Sequence, residues 1–154
     1  MSFADELKKN SMEYDPNLKS IARIKNKINM SVEAIKYGCN KASREGKNEI
    51  EGFVYIYSSD SLDIAQVSKN SKGLRSGTGI LFEGYSKEEE GQIIEGIRDK
   101  VSKLGFDSFV IKSYHPGQVC DGSKKVGAAI FRTQRSVPTY RSTNGFCIEV
   151  HCKW

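Results

Sequence analysis

Five side chains in the C-terminal quarter are of types that bind zinc: His115, Cys120, Cys147, His151 and Cys152. A structural zinc ion needs four such ligands in a tetrahedron. The chain holds no CxxC knuckle and no HxxxH motif. Alternation along 146–153 places Cys152 on the core face of a strand and Cys147 on the other, so one ion does not readily take both. What remains is a set of His115, Cys120, Cys147 and His151 from neighbouring strands, and its spacing is too irregular to predict a site. The expectation is no metal and no cofactor. Cys39 and Cys152 then serve as small core residues, with the other cysteines as exposed bystanders.

Cys120, His115 and Asp121 lie together in HPGQVCDGS, residue types that suit nucleophilic catalysis. That chemistry needs an oriented base and oxyanion donors, and nothing in the pattern supplies them. The segment reads as a long hairpin loop, and long loops bind partners. KGLRSGTG at 72–79 has the glycines of a phosphate loop, but Ile80-Leu81-Phe82 follows where a Walker motif needs Lys-Ser/Thr and a helix. Glu88, Glu89 and Glu90 are simpler as helix-start acids than as a catalytic pair. No catalytic residue is predicted.

The cations are more informative. The chain of 154 residues has 24 Lys+Arg against 19 Asp+Glu, a formal charge of +5. Residues 1–110 carry 17 of each sign. The last 44 residues carry the whole excess, seven basic against two acidic. Lys112, Tyr114, Lys124, Lys125, Arg132, Arg135, Tyr140, Arg141, His151 and Lys153 interleave cations with aromatic rings there. Such a face suits phosphate contact with base stacking or cation–π contact. These ten are the candidate partner- or nucleic-acid-binding residues. The plainer alternative is cross-strand tyrosine packing beneath solvating cations.

Those residues must be positioned by a scaffold. Ser2 and Asp5 form a capping box for a helix over 3–11. Asp15-Pro16 starts a second. Leu18, Ile21, Ile24, Ile28, Val32, Ile35, Cys39 and Ala42 then trace one apolar stripe of almost thirty residues, with Met30-Ser31 the weakest point and Gly46 the stop. A strand is expected over 49–57, a short helix near 62–67, a loop over 70–79 and a strand over 80–85. Ser86 and Glu89 cap a helix whose stripe is Ile93, Ile94, Ile97, Val101 and Leu104. Strands over 108–115, 126–136 and 146–153 complete a three-strand meander. Asn144-Gly145 signals a hairpin joining 139–143 to 146–150. The fold class is α+β, one domain over 1–154, with a helical part at 1–46 and an α-β-β-β part at 80–154.

No uncharged apolar run approaches the ~18 residues of a membrane span, and the N-terminus has acids where a signal peptide would be apolar. The chain is expected in the cytoplasm, without disulfides. The opening MSFADELKKN resembles the starts of small proteins of unknown function encoded by prophages and conjugative elements of Gram-positive bacteria. The helix SKEEEGQIIEGIRDKVSKLGF and the ending CIEVHCKW are similar in style. The resemblance implies a phage or mobile-element accessory protein in a host cytoplasm. Proteins of that kind include anti-CRISPR type inhibitors and DNA-associated factors. The first expectation is therefore a non-enzymatic protein that binds a host protein or ribonucleoprotein through the basic C-terminal sheet and the 115–125 loop. Direct nucleic-acid binding by the same face is the alternative, and a small enzyme using Cys120 and His115 the third. A homodimer through the long helix is a further partner option.

Overall fold

The computed structural model describes residues 2–67, 69–70, 73–127 and 134–154. Among these residues three helices lead and divide the chain: α1 (Phe3–Glu13), α2 (Pro16–Arg44) and α3 (Lys87–Ser102). The Ser2/Asp5 and Ser86/Glu89 capping boxes start α1 and α3, and Asp15 with Pro16 starts α2. α2 is continuous: Ser31 Oγ donates to the Lys27 carbonyl (2.7 Å) and leaves the helix unbroken. It ends where Gly46 takes φ 80°. There Gly46 N–H donates to the Ser43 carbonyl and Lys47 N–H to that of Ala42, both at 3.0 Å. This closes two of the carbonyls a helix end leaves open.

Among the described residues eight strands form two four-stranded sheets. Sheet A, in the order β2-β1-β8-β5, contains β1 (Glu49–Ser58), β2 (Ser61–Ala65), β5 (Ser108–Tyr114) and β8 (Cys147–Lys153), all antiparallel. α2 and α3 cover one face. Ile24, Val32, Ile35 and Cys39 of α2, and Ile93, Ile97 and Val101 of α3, pack on Val54, Ile64, Ile111, Ile148, Val150 and Cys152. The helices approach closely at Gly96, where a Cβ would lie 2.4 Å from Ile28. Gly38 meets Ile64 in the same way at 2.9 Å. The α+β class, the long N-terminal helix and the stripes from Ile24 in α2 and Ile93 in α3 match expectation, whereas Leu18, Ile21 and Leu104, expected on those stripes, are exposed.

Sheet B, in the order β3-β4-β6-β7, contains β3 (Lys69–Asn70), β4 (Gly73–Leu74), β6 (Gln118–Val126) and β7 (Arg135–Ser142). It covers part of the other face of sheet A through Phe53, Leu74, Ile80, Val119 and Cys147. Several local expectations are corrected by long-range pairing. Residues 61–65 are strand, not helix, because they pair with β1. Residues 69–70 and 73–74 are two short strands, where a loop was expected. The 80–85 segment contributes one bridge, Phe82 to Phe146. That bridge occupies the backbone beside Gly145, so 139–143 does not fold back on β8. β7 pairs with β6, which runs through most of the expected 116–125 loop. The 126–136 strand meets the described residues only at its ends; 128–133, with Arg132, lie outside them. Cys147 is fully buried in the second core, not exposed.

α1 stands apart, with no buried residue. Removing 2–13 is therefore expected to change unfolding free energy by less than about 0.5 kcal/mol. Ile35→Ala, at a fully buried site, is expected to cost about 2–5 kcal/mol. Urea denaturation of both variants checks the contrast, and equal losses would contradict it.

Candidate nucleic-acid interface

Nine of the ten predicted residues are among the described residues and fall into three groups; Arg132 lies outside them. Lys112, Tyr114, His151 and Lys153 share one face of sheet A, because Lys112 pairs with Glu149, Tyr114 with Cys147 and Ser108 with Lys153 across β5 and β8. Sheet B covers the Tyr114 end, where that ring lies 5.9 Å from Phe53. The other end is open. Its basic side chains stand among carboxylates: His151 Nε2 lies 2.8 Å from Glu49 Oε2 and Lys153 Nζ 3.8 Å from the same oxygen. The hydrogen bond with His151, then the Lys153 charge, holds the Glu49 carboxyl below the usual glutamate range. With Glu51 and Glu149 alongside, this end is mixed in charge.

Arg141 forms the second group. It makes a bidentate pair with Glu83, Nη1 to Oε2 at 2.8 Å and Nη2 to Oε1 at 2.5 Å, and Thr143 Oγ1 adds a bond to Glu83 at 3.1 Å. Such a fork fixes geometry as well as charge. It fastens the base of β7 to the 80–85 segment and uses a cation that the sequence alone offered to a partner.

The third group is the β6–β7 ribbon. Only Val119 of β6 pairs with β4, opposite Leu74. The register then slips between Cys120 and Gly122. Beyond this bulge five pairs run from Gly122–Thr139 to Val126–Arg135 with no third strand beside them among the described residues. That is a two-stranded arm roughly 15 Å long. Lys124 stands opposite Val137, so Lys124 and Arg135 share one face, and Lys125, opposite Ser136, takes the other with Tyr140. All three cations are exposed. None has an ion-pair partner among the described residues. Residues 122–139 contain Lys124, Lys125, Arg132 and Arg135 and no acid at all.

The chemistry considered for Cys120 and His115 is not assembled. Cys120 Sγ contacts the Gly122 carbonyl at 3.4 Å, whereas His115 Nε2 lies 2.6 Å from Glu90 Oε1, which also accepts from Ser113 Oγ at 2.9 Å. No three His, Cys, Asp or Glu among the described residues are grouped to hold a metal ion. Cys39 and Cys152 are buried in the helix-facing core, where their mutual hydrogen bond and burial push the Cys152 thiol up and keep it protonated. Among the described residues no helix is long and apolar enough to cross a membrane. Comparison with protein-family models, curated proteins and solved structures found no match.

The Glu83–Arg141 pair makes a pH prediction. Its hydrogen bond with Arg141 holds the Glu83 carboxyl below the ordinary glutamate value. A depressed folded-state pKa contributes stability above the unfolded value and loses it as pH falls through the folded one. Both side chains are more than one-third exposed, so solvent limits the effect to about 1 kcal/mol. Urea unfolding from pH 7 to 3 is expected to show this loss in the native chain and not in Glu83→Gln. Parallel curves would contradict it.

Proposed function

We propose that the protein is a non-enzymatic binding protein that holds a nucleic acid, free or within a ribonucleoprotein, through the β6–β7 ribbon. The observation that carries the reading is the exposed arm with Lys124, Lys125 and Arg135 on its two faces, none with an ion-pair partner among the described residues. Elsewhere in the basic C-terminal region, His151, Lys153 and Arg141 already stand against carboxylates. Phosphate attracts unpaired cations by long-range attraction and by release of condensed counterions. A two-stranded ribbon is also narrow enough to enter the major groove of a duplex. The resemblance of the opening residues supports reading this as the activity of a phage or mobile element acting on its host. A host ribonucleoprotein is then the leading target, and anti-CRISPR type inhibition the corresponding effect.

A second reading, docking on a host protein, is favoured by the N-terminal arm. Phe3, Leu7, Met12, Tyr14, Leu18 and Ile21 are six of the ten large apolar side chains left exposed among the described residues. From Ile24 onward the α2 stripe lies in the core, so pairing of two copies along the long helix would have only its first turns to use.

Fluorescence anisotropy with duplex and single-stranded DNA and RNA tests the first reading. The logarithm of the binding constant is expected to fall with log salt at a slope of about −2 to −3 for three phosphate contacts. Lys124→Glu, Lys125→Glu and Arg135→Glu together are expected to abolish binding without lowering thermal stability. No binding at low salt, or binding unaffected by the triple change, contradicts the reading. Capture of a host protein that survives nuclease and is lost on deleting 2–13 would support the second reading instead.

A further inference from the structure

The backbone edge of β1 offers a second, separate site. β2 leaves β1 at Ala65, opposite Phe53. From Gly52 back to Glu49, β1 keeps β8 on one side and has no strand on the other among the described residues. Gln66 Nε2 donates to the Glu51 carbonyl from that side. Backbone groups alternate in direction along a strand, so the N–H of Glu51 and both backbone groups of Glu49 face the same way. Beside this edge lies an open cleft of about 730 Å³, lined by Lys47, Glu49, Glu51, Ala65, Gln66 and Val67 among others. Its volume is that of a ligand site. The Gln66 amide sits where the N–H of an added strand would sit.

The side chains along the edge state what would fit. Lys47 Nζ pairs with Glu45 at 3.1 Å. Glu49 is engaged by His151 and Lys153. The Glu51 carboxylate is exposed and has no partner among the described residues. The uncompensated charge beside the open edge is therefore negative, opposite in sign to the ribbon.

We propose that this edge binds an extended, lysine- or arginine-bearing segment of a partner protein as an added strand along Glu49–Glu51. The segment's main chain displaces the Gln66 amide, and its basic side chain meets Glu51. Added-strand recognition takes its affinity from main-chain hydrogen bonds and its selectivity from the side chains beside them. A cross-strand pair of opposite charges contributes modestly, so Glu51 selects the segment more than it holds it.

The test is calorimetric titration of the full chain with a capped five-residue peptide alternating lysine and valine. Saturable binding is expected. Glu51→Gln weakens it about two- to fivefold, the range of one cross-strand charge pair. Gln66→Ala tightens it, because a competitor for the Glu51 carbonyl is gone. A peptide N-methylated at alternate amides keeps its charge and loses its donors, and it is expected not to bind. Spermidine, with charge and no main chain, is expected to bind far more weakly than the peptide. Absence of saturation, equal binding of the N-methylated peptide or of spermidine, or indifference to Glu51→Gln overturns the proposal.

Discussion

The structure turns on the unequal faces of β8. Ile148, Val150 and Cys152 face the helices and are buried along the whole strand. On the opposite face Cys147 is buried, whereas Glu149 and His151 are half-exposed and Lys153 is exposed. The strand thus needs two covering layers at its start and one at its end. α2 and α3 supply the first layer. Sheet B supplies the second over only part of the sheet, because its apolar contribution reduces to Leu74, Ile80 and Val119 with a few half-buried neighbours. Most of the apolar surface is removed from water on the helix side, and the hydrophobic driving force scales with that area.

Two consequences follow from this partial cover. β6 is anchored by Val119 near its start, so the paired residues past the bulge at Asp121, 122–126 and 135–139, extend beyond the packed layers. The ribbon is an overhang whose residues answer to solvent and are free to be polar and basic. The uncovered end of sheet A is the other consequence. It holds Glu49, Glu51, Glu149, His151 and Lys153 on a rigid antiparallel ladder. Charges on a strand face tolerate this exposure; an apolar face would have demanded a further layer.

Local patterns in the sequence foretold local structure. The capping boxes, Pro16, Gly46 and the stripes at helical spacing are each set by residues a few positions apart, and they located all three helices. Alternation over 146–153 assigned the two faces of β8. Sheet B and the isolated 82–146 bridge were not legible, because their contacts join distant residues: Leu74 with Val119, and Phe82 with Phe146. The Asn144-Gly145 signal misled for the same reason, since a bridge from 82 took the backbone the turn would have used. Charge excess located Lys124, Lys125 and Arg135, but which cations were spoken for depended on tertiary partners. Arg141 meets Glu83 from 58 positions away, and His151 meets Glu49 from 102 away. The β1 edge carried no sequence signal, since its open hydrogen-bonding groups belong to the backbone and exist only because β2 stops at Ala65.

The molecule therefore separates its charges by architecture. The helical layer and both cores carry the stability, the ribbon presents cations, and the open sheet edge presents the Glu51 carboxylate. Amide NMR of the full chain titrated with DNA and RNA oligonucleotides tests the central claim most directly. Shifts concentrated at 122–126 and 135–139, leaving α2 and α3 unmoved, are the predicted result. No shifts at low salt, or shifts centred on the helices or on the open end of sheet A, would contradict a nucleic-acid-binding ribbon.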